Sequence, residues 1–194
     1  MDNLKEQLKN CTKCPLHLTR NNVVISDGSI NADIMLIGEA PGADEDKTGI
    51  PFVGRAGKLL NEFLAKAGIK RENDLYIANT VKCRPPGNRK PTKEEKIACG
   101  DNLKKQINMV KPKVIILCGA TAMESFIFDK KLTISKARGQ VFNYDEDKNI
   151  KLVPIFHPSY LLRQHSNAEG SPRDLMLKDL KMVKELVNSC KKTT

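Results

Sequence analysis

Four short apolar segments alternate with helix-like segments along this chain of 194 residues. Each apolar segment is rich in Ile, Val and Leu and lacks regular polar alternation, which is typical of strands buried on both faces. They span residues 32–38, 74–81, 113–119 and 150–156. Strands that alternate with helices form a parallel sheet covered on both faces. The sequence therefore predicts an α/β fold, and we expect residues 1–194 to form a single domain.

The segments between these strands carry helical periodicity and helix boundary signals. A helix is predicted to begin with Thr92 as N-cap and Glu95 three residues later, the pattern of a capping box. Further helices are predicted over residues 119–128 and 171–190, and a surface turn over residues 143–149. A first helix, ending at Gly68, should bury one apolar stripe, formed by Ala56, Leu59, Leu60, Phe63 and Leu64.

Polar and aromatic residues follow the predicted strands where ligands bind in such folds, beyond the carboxyl ends. Glu39 follows the first strand, Phe52 lies in the next loop, Asn79 is in the second strand, and His157 follows the fourth. Each alone could be structural: a core ring, or a polar group that satisfies the backbone. Together, at three strand ends, they predict a functional site.

The glycine-rich first loop, "GEAPGADED", is not a phosphate-binding motif. It lacks both the GK[ST] ending of a Walker motif and the spacing GxGxxG, and its acidic residues would repel a nucleotide phosphate. Its glycines instead allow backbone amides to approach a neutral or weakly anionic ligand.

The charge balance favours an anionic partner. Lys and Arg number 33 against 23 Asp and Glu, which gives a net charge of +10 and a pI near 9.3. Such a surplus indicates nucleic acid first, although a merely soluble basic protein has the same balance. Without a long apolar run or a secretory signal, we expect no membrane partner and a cytoplasmic location. The Lys- and Glu-rich composition is compatible with a thermophile.

Four of the six cysteines have a spacing that suggests a metal site. Cys11 and Cys14 form a CxxC pair, Cys83 follows the second strand, and Cys99 lies in the next helix. This pattern departs from the paired knuckles of a zinc ribbon and suits an iron–sulfur cluster, but the residues alone leave zinc open. Cys118, inside the third strand, should be a buried small hydrophobe.

Three segments carry a resemblance to a known family. "GEAPGADEDKTGIPFVGRAGKLL", "ANTVKCRPPGNRKPT" and "HPSYLLR" resemble the signature segments of the family 4 uracil-DNA glycosylases, the thermostable iron–sulfur type. The resemblance runs in the family's order from "CTKC" to the last helix. It implies a three-layer α/β/α sandwich around a four-stranded parallel sheet. It also implies a monofunctional DNA repair enzyme that hydrolyses the N-glycosidic bond of uracil, releasing the base and leaving an abasic site.

The resemblance also implies a cofactor and a partner. The family's ligands for a [4Fe–4S] cluster fall on Cys11, Cys14, Cys83 and Cys99. The partner is uracil-containing DNA, single- or double-stranded, and we expect the protein to act on it as a monomer.

A glycosylase must flip its target base out of the duplex and recognise the base by its edge. The Asn79 amide can accept a hydrogen bond from uracil N3–H and donate one to O4, whereas cytosine presents the opposite pattern. Phe52 offers a flat face for stacking. By resemblance, Gly38, Glu39 and Ala40 line the pocket with backbone groups, and Glu45 lies near the C5 edge, where it helps to exclude the methyl group of thymine.

His157 is expected to donate a hydrogen bond to O2 of the departing uracil. The following residues, Tyr160, Leu161, Leu162 and Arg163, are then expected to enter the duplex. Apolar wedges would fill the gap that the base leaves, and the arginine would contact a phosphate or a base edge.

One position departs from other uracil-glycosylase families, which carry a water-activating aspartate two residues after the first-loop glycine. Here that position is Ala40. Either Glu39 positions the water, or departure of the leaving group needs no strong base. Two rival functions also stay open: a non-enzymatic iron–sulfur or zinc protein that binds nucleic acid, and a glycosylase for other deaminated bases or mismatches.

Overall fold

The computed structural model describes residues 2–192, apart from the side chains of residues 2, 3, 5, 191 and 192. Its centre is a sheet with the strand order β1-β3-β2-β4-β6-β5. The strands are β1 (Asp27–Gly28), β2 (Ile34–Gly38), β3 (Leu75–Asn79), β4 (Val114–Cys118), β5 (Phe142–Asn143) and β6 (Lys151–Ile155).

The four predicted strands are present as the parallel centre of this sheet, β3-β2-β4-β6. The predicted number of strands was too low, because β1 and β5 add an antiparallel strand at each edge. Each edge strand has only two residues, too few to show any periodicity in the sequence.

Helices cover both faces of the sheet, as expected for an α/β sandwich. Helices α3 and α9 pack on one face, and α5 with the shorter α6 and α7 packs on the other. The helices are α1 (Asp2–Lys9), α2 (Ala43–Thr48), α3 (Arg55–Lys66), α4 (Arg71–Asp74), α5 (Lys93–Val110), α6 (Ala120–Glu124), α7 (Ile134–Ala137), α8 (Pro158–Leu161) and α9 (Pro172–Lys192).

The capping box predicted for α5 is confirmed. Thr92 Oγ1 accepts a hydrogen bond from Glu95 N at 3.2 Å, and Glu95 Oε2 accepts one from Thr92 N at 2.7 Å. These bonds satisfy two backbone donors and fix where the chain enters the helix. Cys99, one turn further along, packs with Val81 and Cys83, which follow β3.

Within residues 2–192, no helix combines the length and the apolar character needed to cross a membrane.

Candidate functional site

A pocket of about 460 Å³ lies at the carboxyl ends of the central strands. Its size is within the range of small-ligand sites. The sequence predicts the candidate side chains at this edge of the sheet. The structure brings six of the predicted residues together in the lining of the pocket, which are Glu39, Ala40, Glu45, Phe52, Asn79 and His157.

Gly38 lets two of these side chains meet. It pairs with Asn79 in the register of β2 and β3. A Cβ atom on Gly38 would lie 2.5 Å from Asn79 Oδ1 and 2.6 Å from Phe52 Cζ. Any larger residue would therefore push the amide and the ring apart, so the glycine is a requirement of the pocket floor.

Glu45 supports this pocket through backbone groups of two loops. Its Oε1 accepts hydrogen bonds from Val53 N at 2.9 Å and Gly54 N at 2.8 Å, and its Oε2 accepts one from Gly42 N at 3.0 Å. Both oxygens are thus engaged in fixing the loops. The role predicted for Glu45 at the C5 edge of the base stays a prediction.

Phe52 has a backbone φ of 53°, an uncommon value for a bulky residue. Arg71 holds this conformation by donating to Pro51 O at 2.6 Å and to Phe52 O at 3.2 Å. The same guanidinium is fixed by Asn61 Oδ1 at 2.9 Å and by the Asp27 carboxylate at 2.9 Å. Arg71, which is not part of the pocket lining, therefore fixes the backbone that carries the Phe52 ring.

Glu39 differs from Glu45 because its carboxylate makes no hydrogen bond or ion pair within the described residues. Its backbone oxygen accepts a bond from Thr80 Oγ1 at 2.5 Å, which ties the end of β2 to the end of β3. The carboxylate lines the pocket and is close enough to act electrostatically on His157. It is therefore available to a ligand or to water.

His157 is the N-cap of α8, and its tautomer follows from its contacts. Nδ1 accepts a hydrogen bond from Ser159 N at 3.2 Å and lies 2.7 Å from Ser159 Oγ. Because Nδ1 is an acceptor, the proton of the neutral ring is on Nε2. Burial lowers the pKa of His157 below its ordinary value of 6.5, although the Glu39 and Glu45 carboxylates act to raise it. The ring is thus a neutral donor at pH 7, and its centroid lies 6.1 Å from that of Phe52.

The segment after His157, for which contact with DNA stays a prediction, is only partly exposed. Tyr160 is 46% exposed, and its ring packs against Phe156. Arg163 is exposed, and Leu162 is partly buried against the core. Leu161 is completely buried in that core, so in this structure it supports the segment from below.

A second, much smaller cavity is lined by the four cysteines with metal-like spacing, which are Cys11, Cys14, Cys83 and Cys99. Cys118 lies apart, fully buried in β4, where burial raises the pKa of its thiol. Within residues 2–192, no three His, Cys, Asp or Glu side chains are close enough to hold one metal ion.

Two cationic side chains, Arg20 and Lys82, line the same cavity as the four cysteines. Their positive charge makes the cavity suitable for a thiolate-bound cluster. Arg20 Nη1 donates to Cys83 Sγ at 3.2 Å. Burial raises the pKa of Cys83 to about 11, and the Arg20 contact lowers it. Burial lowers the pKa of Lys82 to about 8, while the neighbouring Cys99 and Cys83 act to raise it. Two cationic side chains thus lie beside the cysteines, and this setting fits a negatively charged, thiolate-bound group.

Comparison with known proteins shows the family of the chain. Residues 25–181 match the family model of the uracil DNA glycosylase superfamily. A type-4 uracil-DNA glycosylase of Thermotoga maritima is 50% identical over 96% of this chain and 94% of its own length. Those of Archaeoglobus fulgidus (45% identical; 84% of this chain, 83% of its own) and Pyrobaculum aerophilum (39%; 91% and 92%) are also similar. The chain belongs to the type-4 uracil-DNA glycosylases.

In this type-4 glycosylase, one wall of the pocket is formed by residues that were not predicted from the sequence. The connection between β3 and α5 contributes Pro85, Asn88, Arg89 and Lys90 to the lining. Arg89 is held by a double hydrogen bond to the Glu95 carboxylate, at 2.8 and 2.6 Å. The basic and proline-rich composition of this connection, "CRPPGNRK", was the signal in the sequence that could have indicated it.

Proposed function

We propose that the chain removes uracil from DNA by hydrolysing the bond between uracil N1 and the sugar C1′. The products are free uracil and an abasic site. The observation that carries this proposal is the meeting of Asn79 and Phe52 over Gly38, with the His157 ring 6.1 Å from that of Phe52, because an amide, a ring and a neutral donor together can recognise and release a pyrimidine.

Asn79 selects uracil in this proposal. Its amide oxygen accepts from N3–H and its amide nitrogen donates to O4. Cytosine has a donor where uracil has O4 and an acceptor where uracil has N3–H. Each mismatched group left unpaired in the buried site costs about 1–3 kcal/mol. Phe52 stacks on the base and fixes its plane.

His157 stabilises the leaving group. As the C1′–N1 bond breaks, its electron pair leaves with uracil and negative charge develops at N1 and O2. The Nε2–H of neutral His157 donates to O2, where this charge appears, so the interaction strengthens in the transition state.

Glu39 positions the water that completes the hydrolysis. The water adds its oxygen to C1′ and gives a proton to the carboxylate. The support is that this carboxylate is unengaged within the described residues, whereas both oxygens of Glu45 are bound to backbone amides.

The segment after His157 meets the duplex at the flipped base. We assign the wedge to Tyr160 and Leu162 and the phosphate or base-edge contact to Arg163, with Leu161 beneath them in the core. The chain acts as a monomer on single- or double-stranded uracil DNA.

A [4Fe–4S] cluster is proposed at the cysteine cavity, held by Cys11, Cys14, Cys83 and Cys99. When bound, it supplies iron–thiolate bonds that tie the N-terminal segment to the connection between β3 and α5. This connection also forms one wall of the pocket.

A panel of oligonucleotides with one central base tests the activity. Matched strands would carry uracil, cytosine, thymine, hypoxanthine or a mismatch, each single- and double-stranded, and free base would be quantified. We expect release of uracil from the uracil strands alone. Tight DNA binding without any base release would support the non-enzymatic alternative, and equal release of hypoxanthine would support a broader glycosylase.

A further inference from the structure

Three donor groups surround the cysteine cavity, and none of them is a ligand. Arg20 donates to Cys83 Sγ at 3.2 Å and to Cys11 O at 2.7 Å. Lys82 and Asn102 line the same cavity. Their residues are 1% and 5% exposed, so both polar groups are removed from solvent.

The side chain of Asn102 carries a buried hydrogen-bond donor that no described protein group accepts. Its Nδ2 atom has no hydrogen-bond partner among the described residues, 2–192. A buried unpaired donor costs about 1–3 kcal/mol, so such groups are rare unless something satisfies them. The sulfurs of a cluster in the neighbouring cavity are acceptors that would do so.

Lys82 connects this cavity to the pocket. Its Nζ donates to Asn79 O at 2.7 Å, and Asn79 is the last residue of β3, beside Gly38. One side chain thus lines the cysteine cavity and holds the backbone of the residue whose amide lies in the pocket.

We propose that Arg20, Lys82 and Asn102 form a counter-charge and donor shell for the cluster, and that Lys82 also positions Asn79 for uracil recognition. The inference rests on the proposed cluster and activity. Four thiolates around a [4Fe–4S]²⁺ core leave two net negative charges, which the ammonium and the guanidinium balance, while the amide donates to sulfur. Groups around the ligands in this way influence both how tightly a site holds its metal and the reduction potential of that metal.

Anaerobically purified, cluster-loaded protein with Lys82→Met, Lys82→Arg, Arg20→Met or Asn102→Leu tests the shell. Lys105→Met, on an exposed position of α5, is the matched control. Iron release to a chelator, the reduction potential and single-turnover uracil excision would be measured on each. Loss of an outer-shell partner weakens metal binding about 10- to 100-fold, so we expect iron release to accelerate by that factor in Lys82→Met, Arg20→Met and Asn102→Leu.

The reduction potential separates a charge shell from mere packing. Removing a positive charge or an N–H donor beside the cluster makes reduction harder, so the potential should become more negative in Lys82→Met, Arg20→Met and Asn102→Leu. Lys82→Arg should stay near the wild-type potential because it keeps the charge. Among cluster-loaded molecules, only Lys82→Met should also slow excision, since only Lys82 holds Asn79.

Wild-type iron release and potential in Arg20→Met and Asn102→Leu would overturn the shell, even if Lys82→Met failed to fold. Unchanged excision in cluster-loaded Lys82→Met would overturn the positioning role. Wild-type protein without iron would overturn the cluster and the shell together. Cluster-loaded wild type that releases no uracil would overturn the activity alone, and the iron measurements would still decide the shell.

Discussion

The pocket at the strand ends and the cysteine cavity lie at the two ends of residues 79–83, yet different interactions stabilise them. The pocket is built on strand ends of a sheet whose central residues are fully buried between two large apolar clusters. The cavity rests on a small cluster of four buried residues, Leu16, Val81, Cys83 and Cys99. Apolar packing therefore preforms the pocket, whereas the cysteine region has little apolar support and, in our proposal, depends on the bound cluster.

Removing one cysteine from each setting gives the largest difference between the two regions. Loss of a structural metal belongs to the changes that cost more than about 4 kcal/mol, while an ordinary substitution costs about 1 kcal/mol. We expect Cys83→Ala to lower the free energy of unfolding by more than about 4 kcal/mol and Cys118→Ala to lower it by about 1 kcal/mol. Anaerobic denaturant unfolding, with iron analysis and folded yield, measures both. Equal losses in the two variants would contradict the contrast.

His157→Ala tests whether the pocket acts on chemistry without carrying the fold. One donor to developing charge contributes about 10²–10³-fold in rate, or roughly 3–4 kcal/mol. Single-turnover excision should slow by that factor while affinity for uracil DNA changes little. Because His157 also caps α8, a stability loss of about 1 kcal/mol is expected. A large drop in melting temperature with an intact rate would make the residue only a cap.

The burial of the central strands also explains how much of the fold could be predicted from the sequence. The four central strands were located to within one or two residues because burial on both faces leaves an unbroken apolar run. Their parallel order then placed Asn79 and His157 at one edge. The strands β1 and β5 were missed because two residues carry no pattern.

Other features could not be predicted because they depend on contacts between distant residues. Arg71 reaches Asp27, 44 positions away, and the carbonyls beside Phe52, and no local pattern records such a pairing. The burial of Leu161 was hidden for a different reason, since one turn of helix is too short to reveal which side faces the core.

Asn79→Asp sharpens the comparison at the boundary between the two regions. A carboxylate cannot donate to uracil O4, and the unpaired group costs about 1–3 kcal/mol. We expect uracil excision to fall by about 10- to 100-fold, with iron content unchanged. Asn108→Asp, on an exposed position of α5, is the matched control. An unaltered rate in Asn79→Asp would remove Asn79 from base recognition.

The smallest effect is expected from pH, because His157 is a neutral donor before the reaction begins. Burial lowers its pKa below 6.5 in the folded protein, so the single-turnover rate should stay level from about pH 8 through 6.5 and decline only at lower pH.

The stability of the fold should depend on pH through the same group. The unfolded chain binds a proton at His157 near pH 6.5 and the folded chain does not, so the contribution of this group is complete above 6.5 and is lost as the pH falls from there toward the lower folded pKa. His157→Ala removes that part of the dependence, so the difference between wild type and variant in denaturant unfolding at several pH values isolates it. A rate that rises as the pH falls through 6.5 would instead identify the protonated imidazole as the donor.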